Sequence, residues 1–432
     1  MLPVSAPAGA DPPPRVEASV IAAALFGNAI EFYDFVVYVF FAVQIGHAFF
    51  AAASDAVAVL GALAVFGAGF VARPAGALVF GRIADRRGRR ASLLLSIWLI
   101  TAATGAIAVL PTYEQAGTVA SILVVVCRLV QGVCFGGELG PSLAFLCEAA
   151  PPRRRGLYCS GLFAGQGVAI LAAGATATLL TAFLSEQQMQ AWGWRVPFAL
   201  AAVAAPLAAI LRRKMPETLA TIDATPRSAR ADARRIAALS LAILGGTVAQ
   251  YVCSYLPTYA RVVLGLHGVD ATSVTILTGA TLFVFALLGG WVADQGERRP
   301  WLLSSRLACG ALAIPLFLWL SDAPSTLRLW ITGLLLTATN AFNGGALFGL
   351  LADSFLPRRR ATSISIVYAT GVALFGGSTP FVVAWLGRVA SSPLAPGWYL
   401  AATSTIAFAA LWHLPEPRVA RTQVDGPRPG AT

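Results

Sequence analysis

The chain has 432 residues, 57% of them hydrophobic and only 12% charged, with a formal net charge of +11. Soluble domains run near 25% charged, so a soluble enzyme or a nucleic-acid-binding domain is excluded unless the basic residues cluster on one surface. Instead, apolar runs of about twenty residues recur along the whole length, the pattern of a polytopic helical membrane protein.

Residues 1–17 (MLPVSAPAGADPPPRVE), rich in Pro and Ala, read as a disordered tail. A signal peptide fits poorly, because the first apolar run is long and carries Glu31 and Asp34. Twelve spans follow, at about 18–41, 57–80, 91–110, 118–147, 157–184, 196–211, 236–260, 272–293, 301–320, 327–352, 362–387 and 397–414. With the N-terminus in the cytoplasm, 25 of the 31 Lys and Arg residues fall on the cytoplasmic side. Arg195, Arg261, Arg328 and Arg388 fall outside, and Arg73 and Arg128 within the membrane. That asymmetry is the positive-inside rule, so the basic loops need no nucleic-acid partner.

The first span contains GNAIEFYDFVVYVFFA, in which Asn28, Glu31, Asp34, Phe35 and Tyr38 share one helical face. Two acids one turn apart in a membrane helix repel each other if both ionise, and a carboxyl that gains and loses a proton is what proton coupling needs. At about 1.5 Å per residue, Glu31 and Arg128 of the antiparallel fourth span reach similar depths, so a Glu31–Arg128 pair is sterically plausible. Neutralising Arg128 alone is the competing reading of that acid. The second span carries Arg73 at the depth of Glu138, for which a structural Arg73–Glu138 pair and a substrate role remain open. Pro74 beside it should kink or loosen the helix. Between the second and third spans, GRIADRRGRR (residues 81–90) places Asp85 among five arginines, including Arg89, as a cytoplasmic latch.

The fourth span holds CRLVQGVCFGGELG, where Arg128, Gln131, Phe135, Glu138 and Ser142 form one face. One polar stripe on an otherwise apolar helix suggests the wall of a water-filled passage; a buried ion pair that only locks helices is the alternative. The fifth span offers Gln166 among small residues that permit close helix contact, and WGWRVPF at 192–198 is an aromatic anchor at the outer interface.

GWVADQGERR at 290–299 repeats GRIADRRGRR, matching Asp294 to Asp85 and Arg298 to Arg89. LPRRRA at 356–361 likewise repeats PPRRRG at 151–156. Two matched loops at nearly one offset imply duplicated six-helix halves, 18–211 and 236–414, joined by a cytoplasmic linker at 212–235 and followed by a short tail at 415–432. An even number of spans per half makes the repeats parallel. In the second half no acid or arginine is expected near a midplane. It offers neutral groups, among them Gln250, Tyr251, Tyr255, Asn340, Asn343, Tyr368 and Ser378. Glycine and proline near 376–380 should loosen the eleventh span. The six cysteines read as buried hydrophobes, the three histidines form no cluster, and no nucleotide loop, zinc motif or nucleophile elbow is present.

Together these features resemble the major facilitator superfamily, whose signature cytoplasmic loop GRIADRRGRR and GWVADQGERR are similar to. GNAIEFYDF, RPAGALVFGRIADRRGRR, RLVQGVCFGGELG, WGWRVPF, YLPTY and FGGSTPF resemble its metabolite–proton symporter family. VFGAGFVARP, YLPTYARVVLGL, AFNGG and APGWYL lean towards the citrate and tricarballylate branch. The resemblance covers about residues 20–414. It implies an all-α membrane protein of twelve transmembrane helices that is not an enzyme. The expected activity is import of a small organic anion, citrate or a related tri- or dicarboxylate, with protons, by alternating access. Shikimate, oxoglutarate or proline and betaine transport, or proton-driven export, are the alternatives, and a receptor that has lost transport is a further one. Expected roles are proton coupling for Glu31, Asp34 and Glu138, and substrate binding for Arg128, Arg73, Asn28, Gln131, Gln166, Tyr255 and Asn343. Gating falls to Asp85, Arg89, Asp294 and Arg298. No metal and no cofactor beyond the proton is expected, in a functional monomer of the bacterial inner membrane with both termini cytoplasmic. Three departures from the family stand out. Glu297 replaces Gly88 in the second loop, predicting a looser latch. Gly161 and Leu162 stand where tricarboxylate carriers have larger or polar side chains. The tail lacks the coiled coil of osmosensing betaine carriers.

Overall fold

The computed structural model describes residues 17–50, 55–218, 229–266, 269–373 and 375–414. The tails predicted at 1–17 (Glu17 apart) and 415–432, and positions 219–228 of the linker, lie outside the described residues. No strand occurs among the described residues. The long helices are α1 (Ala18–Phe40), α2 (Asp55–Arg87), α3 (Arg89–Val109), α4 (Thr118–Ala149), α5 (Arg155–Phe183) and α6 (Val196–Arg213). The second half follows with α7 (Ala229–Val262), α8 (Val269–Ala293), α9 (Arg298–Asp322), α10 (Thr326–Asp353), α11 (Arg360–Ala373), α12 (Thr379–Val389) and α13 (Ala395–His413). The first ten are long and apolar enough to cross a membrane. Leu, Val and Trp side chains left exposed on them, such as Val71, Leu179, Val203 and Leu318, face outward, as lipid contact requires.

The eleventh passage is broken into α11 and α12, where the sequence placed glycine and proline. Pro380 has no amide to donate back along the helix, and the chain turns through Phe375–Ser378, held by Gly376 N–H on the Val372 carbonyl at 2.7 Å. Gly376 and Gly377 are required there because Phe70 of α2 packs against both; a methyl on either would come to 2.9 Å from its ring. By contrast, α2 stays helical through Pro74, so the expected loosening there does not end the helix.

Within the membrane the halves meet along α5 against α8 and α2 against α11. Gly167 and Gly279 let the α5 and α8 backbones touch: a methyl on Gly167 would stand 2.6 Å from the Gly279 carbonyl. All six cysteines are free, five of them buried and Cys127 half-buried.

Helix α6 runs past its predicted end at 211 and carries Arg212 inside the bundle, fully buried. Sixteen residues span only about 24 Å at the usual rise, short of a hydrocarbon core of about 30 Å, so the helix needs the extra turn. Arg306, expected at the cytoplasmic side, is also fully buried, eight residues into α9. The second half therefore does carry an intramembrane arginine.

Candidate functional site

Helices α2 and α4 approach closely through glycine. A methyl on Gly132 or Gly136 would overlap the backbone of Gly69 or Arg73. That contact sets Arg73 against the face of α4 that carries Arg128, Gln131 and Phe135. Across from them α1 presents Glu31, Asp34 and Phe35, and these residues line one small cavity.

The two arginines are held by aromatic rings rather than by acids. The Arg73 guanidinium lies 4.0 Å from the Phe70 ring centroid, 4.4 Å from Phe135 and 4.7 Å from Phe35. Arg128 sits 3.6 Å over Tyr38. Among the described residues neither has a carboxylate oxygen within 4 Å. Each keeps its Nε and Nη2 buried without a hydrogen-bond partner. Ring faces stabilise a cation but accept few of its N–H groups, so these donors stay available to a ligand. Tyr251 and Tyr368 of the second half bring their phenols to Arg73. Asp34 accepts from Gln131 Nε2 at 2.6 Å, and Gln131 also donates to Thr104 at 2.8 Å. Asp34 Oδ1 and Gln131 Oε1 remain unpartnered.

Of the two pairings the sequence left open, Glu31–Arg128 and Arg73–Glu138, neither forms. Both glutamates converge on Arg212 instead. Arg212 Nη1 donates to Glu31 Oε1 at 3.3 Å, to Glu138 Oε2 at 3.2 Å and to the Leu93 carbonyl at 3.2 Å, while Nη2 donates to Glu138 Oε1. Ser96 donates to Glu138 at 3.0 Å. Gly27 leaves room for the guanidinium, which a side chain there would overlap. Two carboxyl groups share one cation in a fully buried cluster, and Glu31 Oε2 has no hydrogen-bond partner among the described residues. Since Glu31 also lines the cavity, it joins the two arrangements.

The other predicted residues lie elsewhere. Asn28 is buried outside the cavity lining with Oδ1 unpartnered. Gln166 is buried on α5 facing Tyr368. Tyr255 lies one turn beyond Tyr251, half-buried against the core of the second half. Asn343 is spent within that half: it accepts from Arg306 at 2.6 Å and donates to Ser305 at 3.0 Å and to the Leu302 carbonyl at 2.8 Å. Asn340 also accepts from Arg306. Tyr251 now stands where Tyr255 was expected.

At the cytoplasmic ends the halves are latched twice, by matched residues. Asp85 accepts the α11 amides of Ala361 and Thr362 at 3.2 and 2.9 Å. Asp294 accepts the α5 amides of Gly156 and Leu157 at 2.7 and 2.8 Å. Each carboxylate thus caps a helix N-terminus of the opposite half, satisfying its exposed donors. Arg89 pairs with Asp85 at 2.5 Å and Glu148 at 3.1 Å, and Arg360 joins Glu148 at 3.0 Å. Arg298 pairs with Asp353 at 2.8 Å, with Arg155 nearby at 3.5 Å. Burial pushes the Asp294 carboxyl up from its ordinary value, against the two amides that draw it down. The second latch has the shorter amide caps, but its Arg298–Asp294 pair is looser, 3.7 Å against 2.5 Å for Arg89–Asp85. Gly88 takes φ +106° because Arg89 and Arg90 turn their amides onto Glu217, whereas Glu297 ends its loop at φ −70°, open to any residue.

Asp294→Ala removes two charge-assisted bonds worth about 1.5–3 kcal/mol each. The expected result is faster alkylation of Cys147 and Cys159, both buried beside this latch, by at least about tenfold in membranes treated with a maleimide. An unchanged alkylation rate would show that the latch does not hold the halves shut.

A family model described as the Major Facilitator Superfamily matches residues 21–380. The chain is 33% identical to a citrate-proton symporter of Salmonella typhi over 89% of this chain and 91% of that protein. It is also 33% identical to the alpha-ketoglutarate permease of Escherichia coli, over 90% of this chain and 91% of that one. Among solved structures, the proton:xylose symporter XylE of E. coli bound to 6-bromo-6-deoxy-D-glucose superposes with a TM-score of 0.78 at 18% identity, covering 92% of this chain and 96% of XylE. The chain is therefore a proton-coupled, multi-pass membrane transporter of small organic substrates and not an enzyme. With an all-helical fold of two six-helix repeats and relatives at this identity over nearly the full length, it belongs to the major facilitator superfamily and, within it, to the metabolite–proton symporters.

Proposed function

We propose that the protein imports a small organic acid, with citrate or a related tri- or dicarboxylate as the favoured substrate, by proton symport across the bacterial inner membrane. The observation that carries this reading is the pair of buried arginines, Arg73 and Arg128, whose unspent donors share one cavity with Asp34 and Glu31. Guanidinium groups bind carboxylates through paired N–H donors, and two of them suit a substrate with at least two carboxylates. The name of the Salmonella typhi relative supports citrate, and that of the Escherichia coli permease supports a shorter dicarboxylate.

Charge balance supplies the coupling. Glu31, Asp34 and Glu138 offset Arg73, Arg128 and Arg212, so these six buried groups are together neutral when all are ionised, while the buried Arg89 pairs with Asp85 and Glu148 at the cytoplasmic latch. Each negative charge the substrate brings must then be met by a proton, because an uncompensated charge in a dry core is costly. Glu31, Asp34 and Glu138 are the groups that take it. Protons also offset the roughly 2.3 kcal/mol per charge per 100 mV of moving an anion inward. In this cycle the bundles 18–211 and 236–414 rock about the cavity, and the Asp85 and Asp294 latches open towards the cytoplasm where both termini lie.

The test is uptake of labelled citrate into liposomes under an imposed inward proton gradient, with unlabelled tricarballylate, succinate, oxoglutarate, shikimate and proline as competitors. Gradient-dependent uptake blocked by tricarballylate but not by shikimate or proline is the expected result. Uptake blocked only by proline or shikimate would overturn the anion reading, and substrate efflux against its own gradient powered by an inward proton gradient would favour the exporter.

A further inference from the structure

An open groove lies between the cytoplasmic ends of α5 and α8, apart from the central cavity. Arg153, Arg154, Leu157, Trp291, Asp294 and Gln295 line it. The two arginines sit exposed on the short 3-10 turn Pro152–Arg154 that leads into α5. Neither has a carboxylate oxygen within 4 Å among the described residues. Asp294 does not neutralise them, because both its oxygens are held by the Gly156 and Leu157 amides. Trp291 is 52% exposed, and Leu288 and Val284 continue its face up α8, also exposed. A tryptophan at headgroup depth above an apolar stripe, beside two unpaired cations, matches in turn the interface, the acyl chain and the phosphate of a lipid. Protein ligands are a poorer match, since the apolar part of the surface faces the bilayer. The matched groove at the first latch differs: Arg82 stands at the position of Trp291, and no aromatic anchors it.

We propose that this groove binds the headgroup of an anionic phospholipid of the cytoplasmic leaflet. The phosphate lies on Arg153 and Arg154, the glycerol edge against Trp291, and one acyl chain along Leu288 and Val284. Because the arginines belong to the first half and Trp291 to the second, the lipid spans the seam directly over the Asp294 latch and favours its closed form.

Native mass spectrometry of the full chain, released from detergent and titrated with dioleoyl phosphatidylglycerol or dioleoyl phosphatidylcholine, tests the site. Each basic residue near an anionic headgroup contributes about 1 kcal/mol, so Arg153→Gln with Arg154→Gln should weaken phosphatidylglycerol binding roughly thirtyfold. Trp291→Ala should weaken it as well, and the charge-matched pair Arg82→Gln with Arg359→Gln should leave it unchanged. Soluble glycerol phosphate at the same concentration should not displace the lipid. Equal binding of the two lipids by the unaltered protein would overturn the proposal. So would an equal loss in both double variants, which would indicate general surface charge, or displacement by glycerol phosphate, which would indicate a phosphate site without a lipid.

Discussion

Replacing Arg212 with Met destabilises the folded protein by about 3–5 kcal/mol and abolishes proton-driven uptake. Removing one partner of a buried ion pair leaves the other charge uncompensated, and here two carboxylates lose their shared cation at once. Leu93 also loses a donor to its carbonyl. The measurement is thermal or denaturant unfolding in detergent alongside uptake in liposomes. Adding Glu31→Gln and Glu138→Gln to Arg212→Met removes the stranded charges, so the triple variant should recover most of the stability without recovering proton dependence. An Arg212→Met protein as stable as the parent would show that the glutamates are not held as charges. Recovery of proton-driven uptake in the triple variant would move proton binding off this cluster, leaving Asp34 as the coupling acid.

Arg128→Gln should give the opposite pattern, with stability nearly kept and transport lost. No carboxylate lies within 4 Å of Arg128 among the described residues, and Asp34, which loses only this more distant countercharge, keeps its bond to Gln131 and is neutralised by taking up a proton. The loss falls on the ligand. A charge-assisted hydrogen bond is worth about 1.5–3 kcal/mol, so the KM for the carried acid should rise roughly ten- to hundredfold. Arg128→Lys should recover little, because an ammonium on a flexible stem cannot present two parallel donors from over the Tyr38 ring. Uptake kinetics and a melting curve on the same preparations decide the matter. An unchanged KM would remove Arg128 from the substrate site, and a large loss of stability would make it a structural residue like Arg212.

The different positions of these two arginines explain where reading the chain alone succeeds. Arg128 stands in an apolar run on a face with Gln131 and Glu138, and helical periodicity places it inside the membrane. Arg212 is the first arginine of LRRK at the edge of a basic stretch, where an arginine normally marks the end of a span. Its only sign is the shortness of the sixth apolar run. Arg306 gives even less: it follows two serines and has no acid near it in the chain, and only the folded second half shows that Asn340 and Asn343 receive it. The Asp85 and Asp294 latches are legible as repeated motifs, but their partners, the first amides of α11 and α5, carry no side-chain signature.

By itself the sequence determined the class of fold, the twelve passages, the duplication and the small group of polar residues inside apolar runs. These follow from local rules: hydrocarbon thickness sets span length, and backbone hydrogen bonding demands helices. The tertiary structure alone decided how the charges pair. Depth along a helix is one coordinate, and it does not say which of Glu31, Glu138, Arg73, Arg128 and Arg212 meet. Rotation and packing set the rest. Close glycine contact of α2 with α4 turns Arg73 into a cage of phenylalanines, and the extra turn of α6 brings Arg212 to both glutamates. Two arginines are thereby left facing a cavity with donors to spare.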